Sequence, residues 1–359
     1  METNFTRDLL NWYSANEHSM PWRGETDVYR VWLSEVMLQQ TQFKAVIPYY
    51  QRWLRRFPTP KHVADASEEE VLKHWEGLGY YARVRNFRVA CQDLHENHGG
   101  QIPPGSDEFR NLKGVGDYIH AAVRSIAFHE PIPAIDGNVM RVVSRLKKIE
   151  HPPHKSVDII RPFLDRQISR PRPGDFNQAL MDLGRNICKP ANPSCDLCPV
   201  SNECGSFVDN CVDKHPVKQV KKSIPHYNVA VGVVWKEDLI LITKRHSSAM
   251  LGGLWEFPGG KLQNNETHQN CIQREINEEL GVNVTIFNKI KTIKHAYSHF
   301  KITLTAYHCQ YESGELRTLG CADFRWISPE DISSLPFPKA NHKLFNKIPR
   351  ENPCSFFIH

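Results

Sequence analysis

From Thr26 to about Lys189, apolar residues recur at three- and four-residue spacings, interrupted by Gly and Pro breaks such as Ile102-Pro103-Pro104-Gly105. Residues so spaced line one face of a helix, and the pattern predicts an all-α region. After Cys204 the periodicity fades: Val212 to Pro225 (VDKHPVKQVKKSIP) is rich in lysine and carries two prolines, the composition of a linker. Beyond it, Val229 to Trp235, Leu239 to Thr243 and Ile302 to Cys309 are predicted strands, and Thr267 to Leu280 a helix stopped by Gly281. The expected organisation is multidomain: an all-α domain over residues 1–208, a basic linker over 209–225 and an α+β domain over 226–349. A length of 359 residues suits two cores better than one.

Composition narrows the class. Hydrophobic residues at 40% and aromatics at 10% fill ordinary cores, and no apolar run approaches the roughly 18 residues of a membrane span. Met1 to Leu10 mixes Glu2, Arg7 and Asp8 and lacks the apolar stretch of a secretory signal, so a cytoplasmic protein with no membrane partner is expected. A net charge of +5 is compatible with a polyanionic partner without requiring one.

The 10 cysteines change the picture more, because Cys188, Cys195, Cys198 and Cys204 crowd into one segment as C-x6-C-x2-C-x5-C. That is a metal cluster rather than a disulfide framework. Iron-sulfur and zinc both take four thiolates. Structural zinc usually uses two separated C-x2-4-C knuckles, whereas a single C-x2-C flanked by wider gaps favours one 4Fe-4S cluster held by the loop 188–204. Arg185 and Lys189 beside it are candidates for meeting phosphate.

Leu112-Lys113-Gly114-Val115-Gly116-Asp117-Tyr118 places two glycines one residue apart between helical stretches. Such a turn frees backbone N–H groups for a phosphate at a helix N-terminus, though it equally suits an ordinary helix–helix turn. In Ile135-Asp136-Gly137-Asn138-Val139-Met140-Arg141-Val142 the aspartate sits at an expected helix start, as an N-cap whose carboxylate the helix dipole keeps ionised. Glu35 shares a helical face with Val31, Trp32 and Leu38, so burial should raise its pKa toward that of a general acid, where most helical glutamates are solvated. A neutral Glu35 and an ionised Asp136 suit glycosidic cleavage, in which one group protonates the leaving base and the other stabilises the sugar cation.

PWR at Pro21 to Arg23, LSEVMLQQT at Leu33 to Thr41, GLGYYARVRN at Gly77 to Asn86, LKGVGDY, IDGNVMRV and the four cysteines together resemble the MutY adenine glycosylases. The resemblance implies a helix-hairpin-helix glycosylase domain with an iron-sulfur module, acting as a monomer on double-stranded DNA that carries adenine opposite 8-oxoguanine or guanine; the want of a targeting segment makes a bacterial cytosol, at the nucleoid, the expected place. It implies that Glu35 protonates adenine at N7, Asp136 stabilises the sugar cation, and Tyr118 positions both. Trp22, Arg23 and Gln178 match residues around the extruded adenine. Gln40, Thr41, Leu78 and Tyr80 match residues that wedge beside 8-oxoguanine, and Lys113, Gly114 and Gly116 belong to the DNA-binding hairpin. Arg83 and Arg85 are further candidates for phosphate contacts. Tyr118 replaces the lysine that forms a Schiff base in endonuclease III-like lyases, which implies a monofunctional enzyme leaving an abasic site. Ile119 departs from the family's common threonine.

Farther on, Gly260-x5-Glu266-x7-Arg274-Glu275-Ile276-x-Glu278-Glu279-x-Gly281-Val282 matches the full Nudix box. Glu275, Glu278 and Glu279 fall on one helical face, where a divalent cation such as Mg2+ would join them only if the box is active. The MutY resemblance implies instead that this domain reads 8-oxoguanine. Tyr297-Ser298-His299 matches the family's recognition loop with Tyr for the usual Phe, making Ser298 and His299 the expected polar contacts.

Overall fold

A computed structural model of the chain describes residues 2–16, 20–218 and 223–355. The helices up to the cysteine loop are α1 (Asn4–Ala15), α2 (Val28–Leu38), α3 (Phe43–Arg56), α4 (Pro60–Asp65), α5 (Glu68–Trp75), α6 (Ala82–Asn97), α7 (Ser106–Asn111), α8 (Asp117–Ala127), α9 (Gly137–Leu146), α10 (Val157–Gln167) and α11 (Pro173–Asn186), and the short α12 (Gly205–Val208) follows that loop. No helix among the described residues is long and apolar enough to cross a membrane. By their contacts the residues form two units: one from residues 1–65 and 89–221, the other from 66–88 and 222–359.

In the first unit α11 packs against α1, α8 and α9. Phe5 and Leu9 of α1, Val139 and Val143 of α9, Leu164 of α10, and Phe176 and Leu180 of α11 share one core, and each is at most 1% exposed. Burying each such side chain contributes roughly 1.5–3 kcal/mol before conformational entropy is set against it. Residues 219–222 of the expected linker lie outside the described residues. Its earlier part is tied to the helices: Arg145 Nε donates to the His215 carbonyl at 2.9 Å, and Lys148 pairs with Asp209.

The second unit is built on a sheet of β1 (His226–Lys236), β2 (Leu239–Lys244), β3 (Trp255–Glu256), β4 (Gly259–Lys261), β5 (Val282–Ala296), β6 (Lys301–Gly314) and β7 (Asp323–Ile327), with α13 (His268–Leu280) and α14 (His342–Phe345). The main order is β3-β2-β1-β6-β5, with β4 paired to β1 and β7 to β2. Strands β1 and β6 are parallel, Val229 opposite Leu304 and Val231 opposite Ala306. The period of two in β1 sends Ala230 and Val234 toward Ile272 and Ile276 of α13, and Val231, Val233 and Trp235 into a core with Phe257 and Phe337. Gly232 lets α13 approach, since a Cβ there would lie 2.9 Å from Cys309 Sγ and 3.2 Å from Ile272. The predicted helix and its ends hold: Thr267 caps α13 by accepting from Asn270 N, and Gly281 closes it in left-handed backbone, φ 73°.

Residues 66–88, helical in sequence, pack within this second unit. Glu69, Lys73 and Glu76 are spaced four and three apart, one face of a helical segment. Glu69 accepts from Trp255 Nε1 at 2.7 Å, and Lys73 donates to the Leu335 carbonyl at 3.1 Å. Glu76 Oε1 accepts from Phe337 N at 2.8 Å and lies 2.9 Å from His342 Nε2. Burial pushes the Glu76 carboxyl up, but His342, Lys73 and the Phe337 amide together hold it below the usual range.

Candidate active site

Residues 31–37 of α2 are buried on every side of the helix rather than along one face, and Glu35 among them is 4% exposed, while Leu38 of the expected face is half-buried. The Tyr118 hydroxyl, from the first turn of α8, lies 2.6 Å from Glu35 Oε2 and 3.3 Å from Met181 Sδ of α11. Burial raises the Glu35 pKa; the Tyr118 hydrogen bond and Arg23 oppose that, and the charges of Asp136 and Asp182 add to it. Tyr118 is itself pushed well above its ordinary value by burial and then by Glu35, so it stays a phenol.

Asp136 is the N-cap of α9: one oxygen accepts from Val139 N at 2.7 Å and the other from Asn138 Nδ2 at 2.8 Å. The sequence expectation that the helix end would dominate its ionisation needs correction. Burial is the larger influence and raises the Asp136 pKa, against the hydrogen bonds from Val139 and Asn138. Glu35 feels Asp136 as a like charge, which favours its protonated form, whereas the donors on Asp136 favour the Asp136 carboxylate.

Arg23 and Gln178 are brought together: Arg23 Nη1 donates to Gln178 Oε1, and Nη2 to Asp182 Oδ1 at 2.8 Å. Trp22 is buried, edge-on to Tyr50 with ring centroids 5.4 Å apart. Sequence reasoning passed over Asp182, which is 3% exposed and also accepts from Arg185 at 2.6 Å. Its only signal was position, four residues after Gln178 on α11. Arg185 therefore turns to Asp182 and the Phe43 ring rather than outward to phosphate.

Gly114 takes φ 84°, and Gly116 caps α8 without a side-chain hydrogen bond, so no capping side chain occupies the first-turn N–H groups; Lys113 beside them is exposed. Gln40 follows α2 in left-handed backbone at φ 54°, with Thr41 next to it. A non-glycine residue held there is strained by about 1 kcal/mol or more, a cost typical of functional turns.

Cys188, Cys195, Cys198 and Cys204 line one cavity with Arg145, Ile187 and Phe207. Arg145 Nη1 donates to Cys188 Sγ at 3.2 Å and to the Lys189 carbonyl at 2.8 Å, while Arg141 Nε holds the Cys188 carbonyl at 2.8 Å. Four sulfur donors around one apolar-walled cavity, with a guanidinium facing them, fit a group of four-thiolate ligation such as 4Fe-4S.

In the second unit Tyr80, at φ 50°, meets His299 edge-on with centroids 5.9 Å apart. Ser298 and His299 are exposed at the tip of the β5–β6 turn, closed by Tyr297 N donating to the Phe300 carbonyl at 2.9 Å. Leu78 is 7% exposed and packs inward. The phosphate contacts suggested for Arg83 and Arg85 are corrected. Arg85 donates to the Gly252 carbonyl and, at 2.9 Å, to that of Ser247. Arg83 lies 5.3 Å from the Trp75 and Tyr80 rings, and burial lowers its pKa to about 10.

The Nudix glutamates face an arginine. Arg274 pairs with Glu266 at 2.7 Å, Glu275 at 2.9 Å and Glu278 at 3.1 Å. Glu279 lies near Glu256 and Glu275, its pKa raised to about 8 by burial and then by those two like charges. Among the described residues no three His, Cys, Asp or Glu side chains converge to hold a single metal ion.

A family model for the HhH-GPD superfamily of base excision DNA repair proteins matches residues 33–161, and one for a NUDIX domain matches 230–347. The chain is 32% identical to the adenine DNA glycosylase of Rattus norvegicus, across 96% of this chain and 77% of the rat protein. It is 30% identical to the protein of the same name from Buchnera aphidicola subsp. Acyrthosiphon pisum, across 82% and 83%. A thermostable thymine-DNA glycosylase has the same helical fold, with a TM-score of 0.53 at 23% identity over 57% of this chain and 95% of that one. Endonuclease III in a non-covalent DNA complex has a TM-score of 0.50 at 22% identity over 58% and 99%. With that extent of identity spanning both the helical and the Nudix-like residues, this chain belongs to the MutY family of adenine DNA glycosylases, enzymes of base excision repair.

Proposed function

We propose that this chain hydrolyses the N-glycosidic bond of adenine mispaired with 8-oxoguanine or guanine in double-stranded DNA, as a monomer, and leaves an abasic site. The observation that carries the reading is the Tyr118 hydroxyl 2.6 Å from buried Glu35, in a pocket where Asp136 is felt as a like charge.

The scissile bond is inaccessible inside the duplex, so adenine is extruded before reaction. Trp22, Arg23 and Gln178 receive it. Glu35, holding its proton, donates to adenine N7; the C1′–N9 bond breaks and its electron pair leaves with the base. Asp136, held by Val139 N and Asn138, balances the charge of the resulting oxocarbenium sugar. Water then adds at C1′ and gives its proton to the Glu35 carboxylate, restoring the acid. Tyr118 offers a phenol and no amine, so no Schiff base forms and the strand is left intact.

Gln40, Thr41 and Tyr80 support the opposite strand, with Leu78 packed inward rather than against DNA, and Ser298 and His299 read 8-oxoguanine. Lys113 and the N–H groups after Gly114 and Gly116 hold phosphate. Cys188, Cys195, Cys198 and Cys204 would hold the 4Fe-4S cluster, which supplies a cross-link that fixes their loop. Single-turnover release of adenine placed opposite 8-oxoguanine, guanine or thymine tests the reading. Fast release opposite 8-oxoguanine with little opposite thymine is expected; no release in any duplex from folded, cluster-loaded protein overturns it.

A further inference from the structure

Strand β5 ends the sheet and pairs only with β6 on its path, so one side of its backbone is an edge. Against that edge lies a cleft of about 400 Å3 lined by Lys291, Thr292, Lys294, His342, Lys343 and Asn346. Lysines come to it from two elements, β5 and α14, and Lys343 Nζ is fixed over the strand by donating to the Lys294 carbonyl at 3.3 Å. Lys291, Lys294 and Lys343 are exposed and form no ion pair among the described residues. Glu76, which meets the cleft-lining His342, is also engaged by Lys73 and the Phe337 amide.

The cleft also connects to the recognition turn. Lys343 and Lys339 lie close enough to His295 to help burial lower its pKa, and the His295 ring meets Tyr297 edge-on at 4.6 Å. At about 3.3 Å per residue of strand, Lys294 and Lys291 stand roughly 10 and 20 Å from Tyr297. Along duplex DNA, with one phosphate per ~3.4 Å of axis per strand, that is about three to six nucleotides.

We propose that this lysine cleft binds the phosphodiester backbone of the strand carrying 8-oxoguanine, a few nucleotides from the base read by Ser298 and His299. The proposal rests on the glycosylase reading above. It gives the second unit a sequence-independent anchor that sets the register of the turn while the turn itself carries the specificity. Lysines at a sheet edge also guard against strand pairing with another chain, and that role alone predicts no dependence on DNA.

The test uses the full-length, cluster-loaded protein in a Glu35→Gln background, so that bound duplex is not consumed. Affinity for a duplex with adenine opposite 8-oxoguanine is measured across a salt series. Replacing Lys291, Lys294 and Lys343 together by Ala should reduce the slope of log K against log salt by about 2 to 3, at about 0.9 per phosphate contact. Replacing the same three by Arg should restore the slope, which separates charge from folding. Lys236→Ala, on β1, serves as the control. An unchanged slope in a folded triple variant, with or without faster self-association, overturns the proposal and leaves the lysines as edge guards. Adenine release by the unsubstituted enzyme, run in parallel, shows whether the glycosylase reading itself has failed.

Discussion

Two sets of carboxylates in this chain have been placed in opposite kinds of surroundings. In the helical unit, Glu35 and Asp136 meet uncharged donors at the shortest distances: the Tyr118 hydroxyl at 2.6 Å, the Val139 amide at 2.7 Å and the Asn138 amide at 2.8 Å. In the sheet unit, Glu266, Glu275 and Glu278 share Arg274 at 2.7–3.1 Å. Uncharged donors leave burial as the ruling influence, and both pKa values rise. An arginine shared by several acids does the reverse, holding Glu266 down to about 2. The first arrangement favours the protonated carboxyl; the second keeps Glu266 ionised as a cross-link between the turn after β4 and Arg274 of α13. Carboxylates alone therefore do not make a catalytic site. What surrounds them decides whether the group is a reagent or a brace.

The comparison is broken most directly at Glu35. Glu35→Gln should lower adenine release by about 10²–10⁴-fold, the usual contribution of a general acid, while duplex binding persists. Its pH profile should also lose the alkaline limb. Because the folded-state pKa of Glu35 is raised, the active acid form is present below that pKa and lost as pH rises through it. Asp136→Asn is next, with release falling by about 10²-fold on loss of charge opposite the sugar cation. Its melting temperature should barely move, since Asn caps helices about as well as Asp; a large fall in stability would mean the residue is chiefly a brace.

Tyr118→Phe should slow release by roughly 10-fold, about the worth of one hydrogen bond to a charged group. It should also move the alkaline limb to higher pH, because that hydrogen bond favours the Glu35 carboxylate. A limb moving the other way contradicts the pairing.

The smallest effect is expected at Arg274. The depressed Glu266 pKa stabilises the fold above its ordinary value of 4.5, a contribution lost as pH falls toward about 2. Arg274→Gln should flatten the pH dependence of melting across that window. Hydrolysis of 8-oxo-dGTP should show no magnesium dependence; hydrolysis that Glu278→Gln abolishes would turn the brace into a second active site.

Much of the catalytic half could be read from local pattern. A glutamate on the apolar face of Val31, Trp32 and Leu38 had to be buried wherever that helix packed, and Asp136 before Gly137-Asn138-Val139 had to cap. The same holds for α13, bounded by Thr267 and Gly281 as its sequence requires. Strand β5 was not legible: its burial alternates irregularly, and register shifts at Asn283/Val284 and Ile286/Lys289 blur the period of two.

What the sequence determined by itself is the set of faces, caps and metal-ligand spacings, because these depend on residues within a few turns of one another. What only the tertiary structure decided is which face meets which. The helical GLGYYARVRN segment joined the sheet unit through Arg85 on the Ser247 carbonyl and Tyr80 against His299, and Asp182 became the shared partner of Arg23 and Arg185. The physical reason is that a side chain's spacing along its own helix states that it will be buried, whereas the partner it meets there can come from far along the chain, 83 positions away for Tyr118 on Glu35 and 159 for Arg23 on Asp182.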